Sequence, residues 1–457
     1  MRRSSSLARA FGAALLGTSV VACSLLGGPL TAAQNKPAAP PPPAAPPPPP
    51  AAPPVQASKF TLNPRVDDDV VGVVQVTHAT KQDTLTDIGR RFSVGYNEIH
   101  RANPGVDMWL PGAGRQVVVP TQFVLPDAPH KGIVVNIAAM RLYYFPPHRR
   151  GEKQIVYTYP IGIGRVGWRT PQGVTRVVAK VKNPVWRVPK SIRKEHREEG
   201  EILPAVVPPG PDNPLGNRAL FLGWPGYLIH GTNKPVGVGM RVSHGCMHLF
   251  PEEIEQLFNM VPLGTEVRVV NQPFVFGWYR GELYMEAYGS LKDDRRDWRQ
   301  ARWKLLHKAL GRRIEAQLRA HHEHVRWDLV TQLASDPRGI PVAVTDPDAS
   351  LQHALADAPR VADQLPAGSA WDGKTDLPMD QKTFEQVMTK IDATGTQGTA
   401  PAQHADPAAS AGGASAAADH AAPAGSATSA DPAAPPASAA PAGSTAPADP
   451  AAQKTGT

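Results

Sequence analysis

Cysteine is nearly absent: two residues in 457, Cys23 and Cys246. So few thiols exclude a disulfide-built scaffold, and no Cys-x-x-Cys pair exists to start a structural zinc site. Aromatic residues make up 6% of the chain and charged residues 19%. The 41% apolar content is inflated by alanine and says little about a core. The apolar run Ala10 to Ala22 falls short of the ~20 residues that a membrane-spanning helix needs. Two stretches lack the composition to build a core at all. Residues 36–54 are almost wholly Pro and Ala and read as an extended polyproline-II spacer, part of a linker over 34–57. Residues 346–457, rich in Ala, Pro, Ser, Gly, Asp and Thr, cannot bury enough apolar surface to offset their ordering entropy, and are expected to be a disordered tail.

The start of the chain carries Arg2, Arg3 and Arg9 before the apolar run, the layout of a secretory signal over 1–33. That run ends Val20-Val21-Ala22-Cys23, which resembles the lipobox of bacterial lipoproteins and implies lipidation at Cys23. Ser24 after the cysteine then implies sorting to the outer membrane. Ordinary cleavage near Thr31-Ala32-Ala33 is the alternative and leaves a soluble periplasmic protein. Export removes nucleic acid from the partners to consider.

Between 74 and 121, Leu85, Ile88 and Phe92 follow a cap at Asp83-Thr84 with helical spacing, a second short helix ends before Pro104, and Gln116–Val119 reads as a strand. This pattern, with its Ala102-Asn103-Pro104 turn, resembles a LysM module, a small α/β domain whose groove binds N-acetylglucosamine polymers. Residues 131–271 read as β-rich, with short β-branched and aromatic runs between Gly and Pro and one amphipathic helix from Glu252 to Met260. Helical patterning follows from Leu291 to about Leu333, within a basic C-terminal subdomain over 275–340. Its Lys and Arg residues are interleaved with Trp298, Trp303 and Trp327. Such a helix suits either contact with an anionic polymer or a solvated face whose tryptophans pack inward.

The chemistry centres on Cys246. With Cys23 removed or lipidated, Cys246 is an unpaired thiol in an oxidising compartment, which favours a reactive role over packing. Tyr227-Leu228-Ile229-His230 reads as a strand ending at His230, and the chain returns through Met240–Leu249 to place Cys246 near it. On a continuous returning strand His244, Cys246 and His248 point the same way, with Gly245 open to a substrate backbone. An imidazole beside a thiol can take its proton and return it. A zinc site of His230, His244, Cys246 and His248 is the rival, but alternate residues of one strand make cramped chelators.

His230-Gly231-Thr232 followed by Ser243-His244-Gly245-Cys246 resembles the catalytic domain of L,D-transpeptidases, the YkuD type. The similarity runs upstream through Tyr159-Pro160-Ile161-Gly162 and Thr170-Pro171-Gln172-Gly173. The resemblance implies that Cys246 is the nucleophile and His230 the proton acceptor and donor. It further implies that Gly231 orients His230, that His244 and Gly245 shape the oxyanion side, and that Ser243 and His248 face the substrate. No cofactor and no metal is implied. The implied partner is peptidoglycan, whose tetrapeptide stem would lose D-alanine and pass to an amine. That amine belongs either to another stem, giving a 3→3 cross-link, or to an outer-membrane protein. An L,D-carboxypeptidase and a non-catalytic wall-binding protein are the alternatives.

Overall fold

The computed structural model describes residues 58–62, 68–294 and 298–365. The signal segment with Cys23, the Pro/Ala linker and residues 366–457 lie outside the described residues. Among the described residues no helix is long and apolar enough to cross a membrane.

A nine-stranded mixed sheet forms the centre. Its strands, in spatial order, are Lys59–Leu62, Gln154–Pro160, Arg141–Phe145, Gly132–Asn136, Glu266–Val270, Gly173–Lys182, Arg218–Leu222, Leu228–His230 and Met247–His248. Gly173–Lys182 is long enough to serve two neighbours. Its first half pairs with Glu266–Val270 and its second with Arg218–Leu222, across a register shift between Val177 and Ala179. Such a shift bends a strand and turns its second half onto a new course. At the far edge Leu228–His230 runs antiparallel to Arg218–Leu222 and parallel to Met247–His248. The sheet buries Ile133, Leu142, Tyr159, Ile229 and Met247. Against that face packs the helix Pro251–Met260, through Ile254, Leu257 and Phe258. Each such side chain contributes about 1.5–3 kcal/mol when fully buried.

The N-terminal module pairs Gln75–His78 with Gln116–Val119 and carries two helices, α1 (Leu85–Arg91) and α2 (Tyr96–Ala102). Thr84 accepts from the Asp87 amide at 3.1 Å, and Asp87 accepts from the Thr84 amide at 3.2 Å, a reciprocal cap. Leu85, Ile88, Phe92 and Ile99 are completely buried, so the helical spacing marks a real core.

The C-terminal region differs from the sequence expectation. It opens with a β-hairpin, Phe274–Tyr279 and Glu282–Ala287, joined by Val342–Ala343 as a third strand. Arg280 (φ 53°) and Gly281 (φ 90°) make its two-residue turn, and positive φ at both positions is the turn that matches strand twist. The helices of this region are Trp298–His321, broken at Gly311, and Trp327–Ser335. Leu306, Leu310, Leu329 and Leu333 pack onto the hairpin, and Trp298 stacks on Phe274 with centroids 6.0 Å apart.

The tail begins later than composition implies. A short helix spans Leu351–Ala356, and the Val76 backbone exchanges hydrogen bonds with Pro359 (3.0 Å) and Val361 (2.8 Å). Val361 is buried in the module core. The Thr77 hydroxyl donates to the Val361 carbonyl at 2.9 Å and Arg91 pairs with Asp363 at 2.8 Å, so a few point contacts hold this segment, a signal that window-averaged composition dilutes.

Candidate active site

His230 closes a strand that is buried because Ile229 and its neighbours face the core. Its Nδ1 lies 2.6 Å from the Gly231 carbonyl oxygen. A carbonyl only accepts, so Nδ1 carries the hydrogen and Nε2 is left as a base. Burial pushes the His230 pKa down to about 3, and neighbouring His248 pushes the same way. The imidazole is therefore neutral across the physiological range.

Cys246 stands on the adjacent return of the chain. Ile229 pairs with Met247 and His230 with His248, and Cys246 immediately precedes Met247 at the start of that pairing. The thiol is partly accessible and lies 3.6 Å from the Gly226 carbonyl oxygen. Burial pushes its pKa up to about 11. Burial thus favours the neutral form of both the thiol and the imidazole.

The return is not one continuous strand. Arg241–Ser243 pairs with Ile163–Gly164, Met247–His248 pairs with Leu228–His230, and a turn separates the two. Gly245 has φ +105°, and a Cβ there would lie 2.8 Å from the Tyr227 ring. Only glycine meets both conditions. The turn is braced by Ser243, whose hydroxyl donates to the Cys246 carbonyl at 2.5 Å and accepts from the Gly245 amide at 3.2 Å. The Gly245 amide is thereby occupied. Thr170 adds a second brace, donating to the Gly245 carbonyl at 2.9 Å.

This break separates the three residues expected on one face. The His244 Nε2 lies 2.9 Å from Glu195 and 3.0 Å from Arg165, and its ring meets Trp168 edge-on at 4.8 Å. Glu195 comes from α3 (Lys190–Glu198), in the segment between the two central strands Gly173–Lys182 and Arg218–Leu222. Glu195 also pairs with Arg165. His248 is buried rather than open to substrate: its Nε2 donates to the Gly237 carbonyl at 3.1 Å and its ring stacks on His230.

With this geometry in view, the L,D-transpeptidase catalytic domain family, YkuD, matches residues 130–269. “Probable L,D-transpeptidase ErfK/SrfK” of Escherichia coli (strain K12) is 41% identical over 220 residues, covering 48% of this chain and 69% of that protein. The chain belongs to the L,D-transpeptidase family. “Probable L,D-transpeptidase YcfS” of the same strain is 46% identical over 202 residues, 43% of this chain and 62% of its own length. Among solved structures, the catalytic domain of an E. faecium L,D-transpeptidase aligns at 23% identity. That alignment covers 32% of this chain and 100% of that one, with a TM-score of 0.24.

Three residues of this L,D-transpeptidase around the Ser-His-Gly-Cys segment escaped sequence reasoning: Arg165, Trp168 and Glu195. Thr170 was legible as the start of the Thr-Pro-Gln-Gly motif, but its bond to the Gly245 carbonyl was not. Glu195 had none, because it lies 49 positions before its partner His244 on an otherwise solvated helix.

Proposed function

We propose that the chain is a cysteine-dependent L,D-transpeptidase acting on peptidoglycan tetrapeptide stems. The observation that carries this reading is the 2.6 Å contact of His230 Nδ1 with the Gly231 carbonyl oxygen, on the strand that pairs with Met247–His248 just after Cys246. With Nδ1 held by Gly231, Nε2 is the ring nitrogen available to the neighbouring Cys246. Cys246 Sγ attacks the carbonyl that joins the third stem residue to D-alanine while its proton passes to His230 Nε2. The tetrahedral intermediate collapses with cleavage of the C–N bond, and the imidazolium protonates the departing D-alanine amine. A thioester remains. An acceptor amine then attacks that thioester and loses its proton to His230, and the thiolate leaves and is reprotonated by the imidazolium. The acyl group's reactivity is conserved in the thioester, so the exchange needs no nucleotide.

The N-terminal module serves as a LysM-like glycan-binding unit, a reading supported by its strand–helix–helix–strand order. Lipid attachment at Cys23 and a periplasmic, outer-membrane location are supported by Val20-Val21-Ala22-Cys23 behind an arginine-bearing start. The acceptor is an amine of another stem or of an outer-membrane protein.

Incubating the pure chain with disaccharide-tetrapeptide and reading both protein and products by mass tests the reaction. The expected result is a protein adduct at Cys246 equal to the substrate minus D-alanine, and its absence in Cys246→Ala. Product formation by Cys246→Ala at the normal rate would overturn the reading. A product shortened by D-alanine with no amine joined would assign the thioester to water.

A further inference from the structure

The loop that links His230 to Cys246 is held from outside the catalytic domain. Pro235–Gly237 forms a single 3-10 turn, and the next two carbonyls turn toward α2 of the N-terminal module. The Val238 carbonyl accepts from the Tyr96 amide at 2.9 Å. The Gly239 carbonyl accepts from the Asn97 amide at 3.3 Å and from Asn97 Nδ2 at 2.7 Å. The backbones touch directly: a Cβ on Gly95 would lie 2.8 Å from Gly239 Cα, and one on Gly239 would lie 2.4 Å from the Tyr96 nitrogen.

The same junction is locked from below. Glu98 caps α2 by accepting from the Gly95 amide at 2.7 Å. It also accepts from Arg141 Nε at 2.6 Å and from Arg141 Nη2 at 2.8 Å. Arg141 is completely buried on a central-sheet strand and faces Pro160 in register. Just past Pro160, Gly162 cradles the His248 ring. His248 is thus gripped on one side by Gly162 and on the other by the Gly237 carbonyl, and the residues beside these supports, Pro160 and Val238–Gly239, meet Gly95, Tyr96 and Asn97 of the module. His248 in turn stacks on His230.

We infer that Asn97 and the Gly95–Gly239 backbone contact are positioning elements of the active site: the N-terminal module sets the His230–Cys246 loop and, through the Gly237 carbonyl, the His248 ring that packs on the base. The inference rests on the proposed reaction for its meaning but not for its test. The module is then part of the catalytic assembly as well as a wall-binding unit. Whatever displaces α2 displaces the loop.

Three variants of the full chain separate positioning from plain stability. Asn97→Ala removes one donor to Gly239. Gly95→Ala, at φ −82° where alanine is tolerated, pushes a methyl against Gly239. Thr84→Ala removes the cap of α1, the module's other helix, and weakens the module by the usual cost of a lost cap. The readouts are the iodoacetamide alkylation rate of Cys246, kcat and KM for D-alanine release, and Tm. Asn97→Ala is expected to lower alkylation and kcat about fivefold, the effect of one hydrogen bond, with KM unchanged. Gly95→Ala is expected to do so more strongly. Thr84→Ala is expected to lower Tm while leaving alkylation and kcat at wild-type values. If Asn97→Ala and Gly95→Ala both keep wild-type alkylation, or if Thr84→Ala slows it equally, the inference is wrong. If the wild-type chain releases no D-alanine yet alkylation still responds to Asn97, the reaction fails and the positioning stands.

Discussion

His230 and His248 are register partners on adjacent parallel strands, and their rings stack with centroids 6.0 Å apart at 30°. Each spends one ring nitrogen on a backbone carbonyl, Gly231 for the first and Gly237 for the second. Both are buried, so a proton on either ring is costly, and a proton on one discourages a proton on the other.

That pairing sets a pH signature for stability. Burial, which disfavours the charged form, pushes the His230 pKa down to about 3 and the His248 pKa down to about 4, against 6.5 ordinarily. Unfolding therefore takes up protons below pH 6.5, so the contribution is complete above that value and is lost as pH falls toward 4. Thermal melts between about pH 8 and pH 4.5 should show Tm dropping below about 6.5, with a shallower drop in His248→Asn. Identical slopes in both proteins would count against the assignment.

The thiol has its own signature. Because burial holds Cys246 near 11, alkylation should climb steadily through the alkaline range with no inflection near 6.5. A plateau reached by about pH 7 would mean that a thiolate–imidazolium pair exists before substrate arrives.

On the proposed reaction, removing His230 should cost more than removing the Ser243 hydroxyl that braces the turn. His230→Ala is expected to lower kcat for D-alanine release by about 10²- to 10⁴-fold, the usual worth of a positioned proton carrier. Ser243→Ala should cost far less and act through the turn. Equal losses in the two variants would shift the base role away from His230.

Gly162 tests the cradle. A Cβ there would fall 1.9 Å from His248 Cε1, so the ring must move. Gly162→Ala should destabilise the chain by about 1–3 kcal/mol through overpacking and slow Cys246 alkylation as well. A crystal structure of the variant with His248 undisplaced would contradict this.

The junction between module and sheet tests as a buried pair. Arg141→Met leaves the Glu98 carboxylate buried without its ion-pair partner, at a cost of about 3–5 kcal/mol. Adding Glu98→Gln should recover a large part of that loss in urea unfolding. Strictly additive losses would show that the two side chains do not act as a pair.

Local pattern determined much of this protein. Spacing at Leu85, Ile88 and Phe92 marked a helix and its core face, because a helix repeats every 3.6 residues whatever surrounds it. The order His-Gly-Thr then Ser-His-Gly-Cys marked the family, and a strand ending at His230 was legible in its apolar run. The faces of His244 and His248 were not. Strand alternation assumes continuous extended backbone, and Gly245 at φ +105° breaks that assumption between them. The partners that only tertiary structure supplied lie far away in the chain: Glu195 for His244, Gly237 for His248, Glu98 for Arg141, Pro359 and Val361 for Val76. Each of these contacts exists because the sheet brings distant segments to one place and burial then requires every polar group there to find a partner. A single sequence records the groups that need partners, and the packing of the whole chain decides which partners they meet.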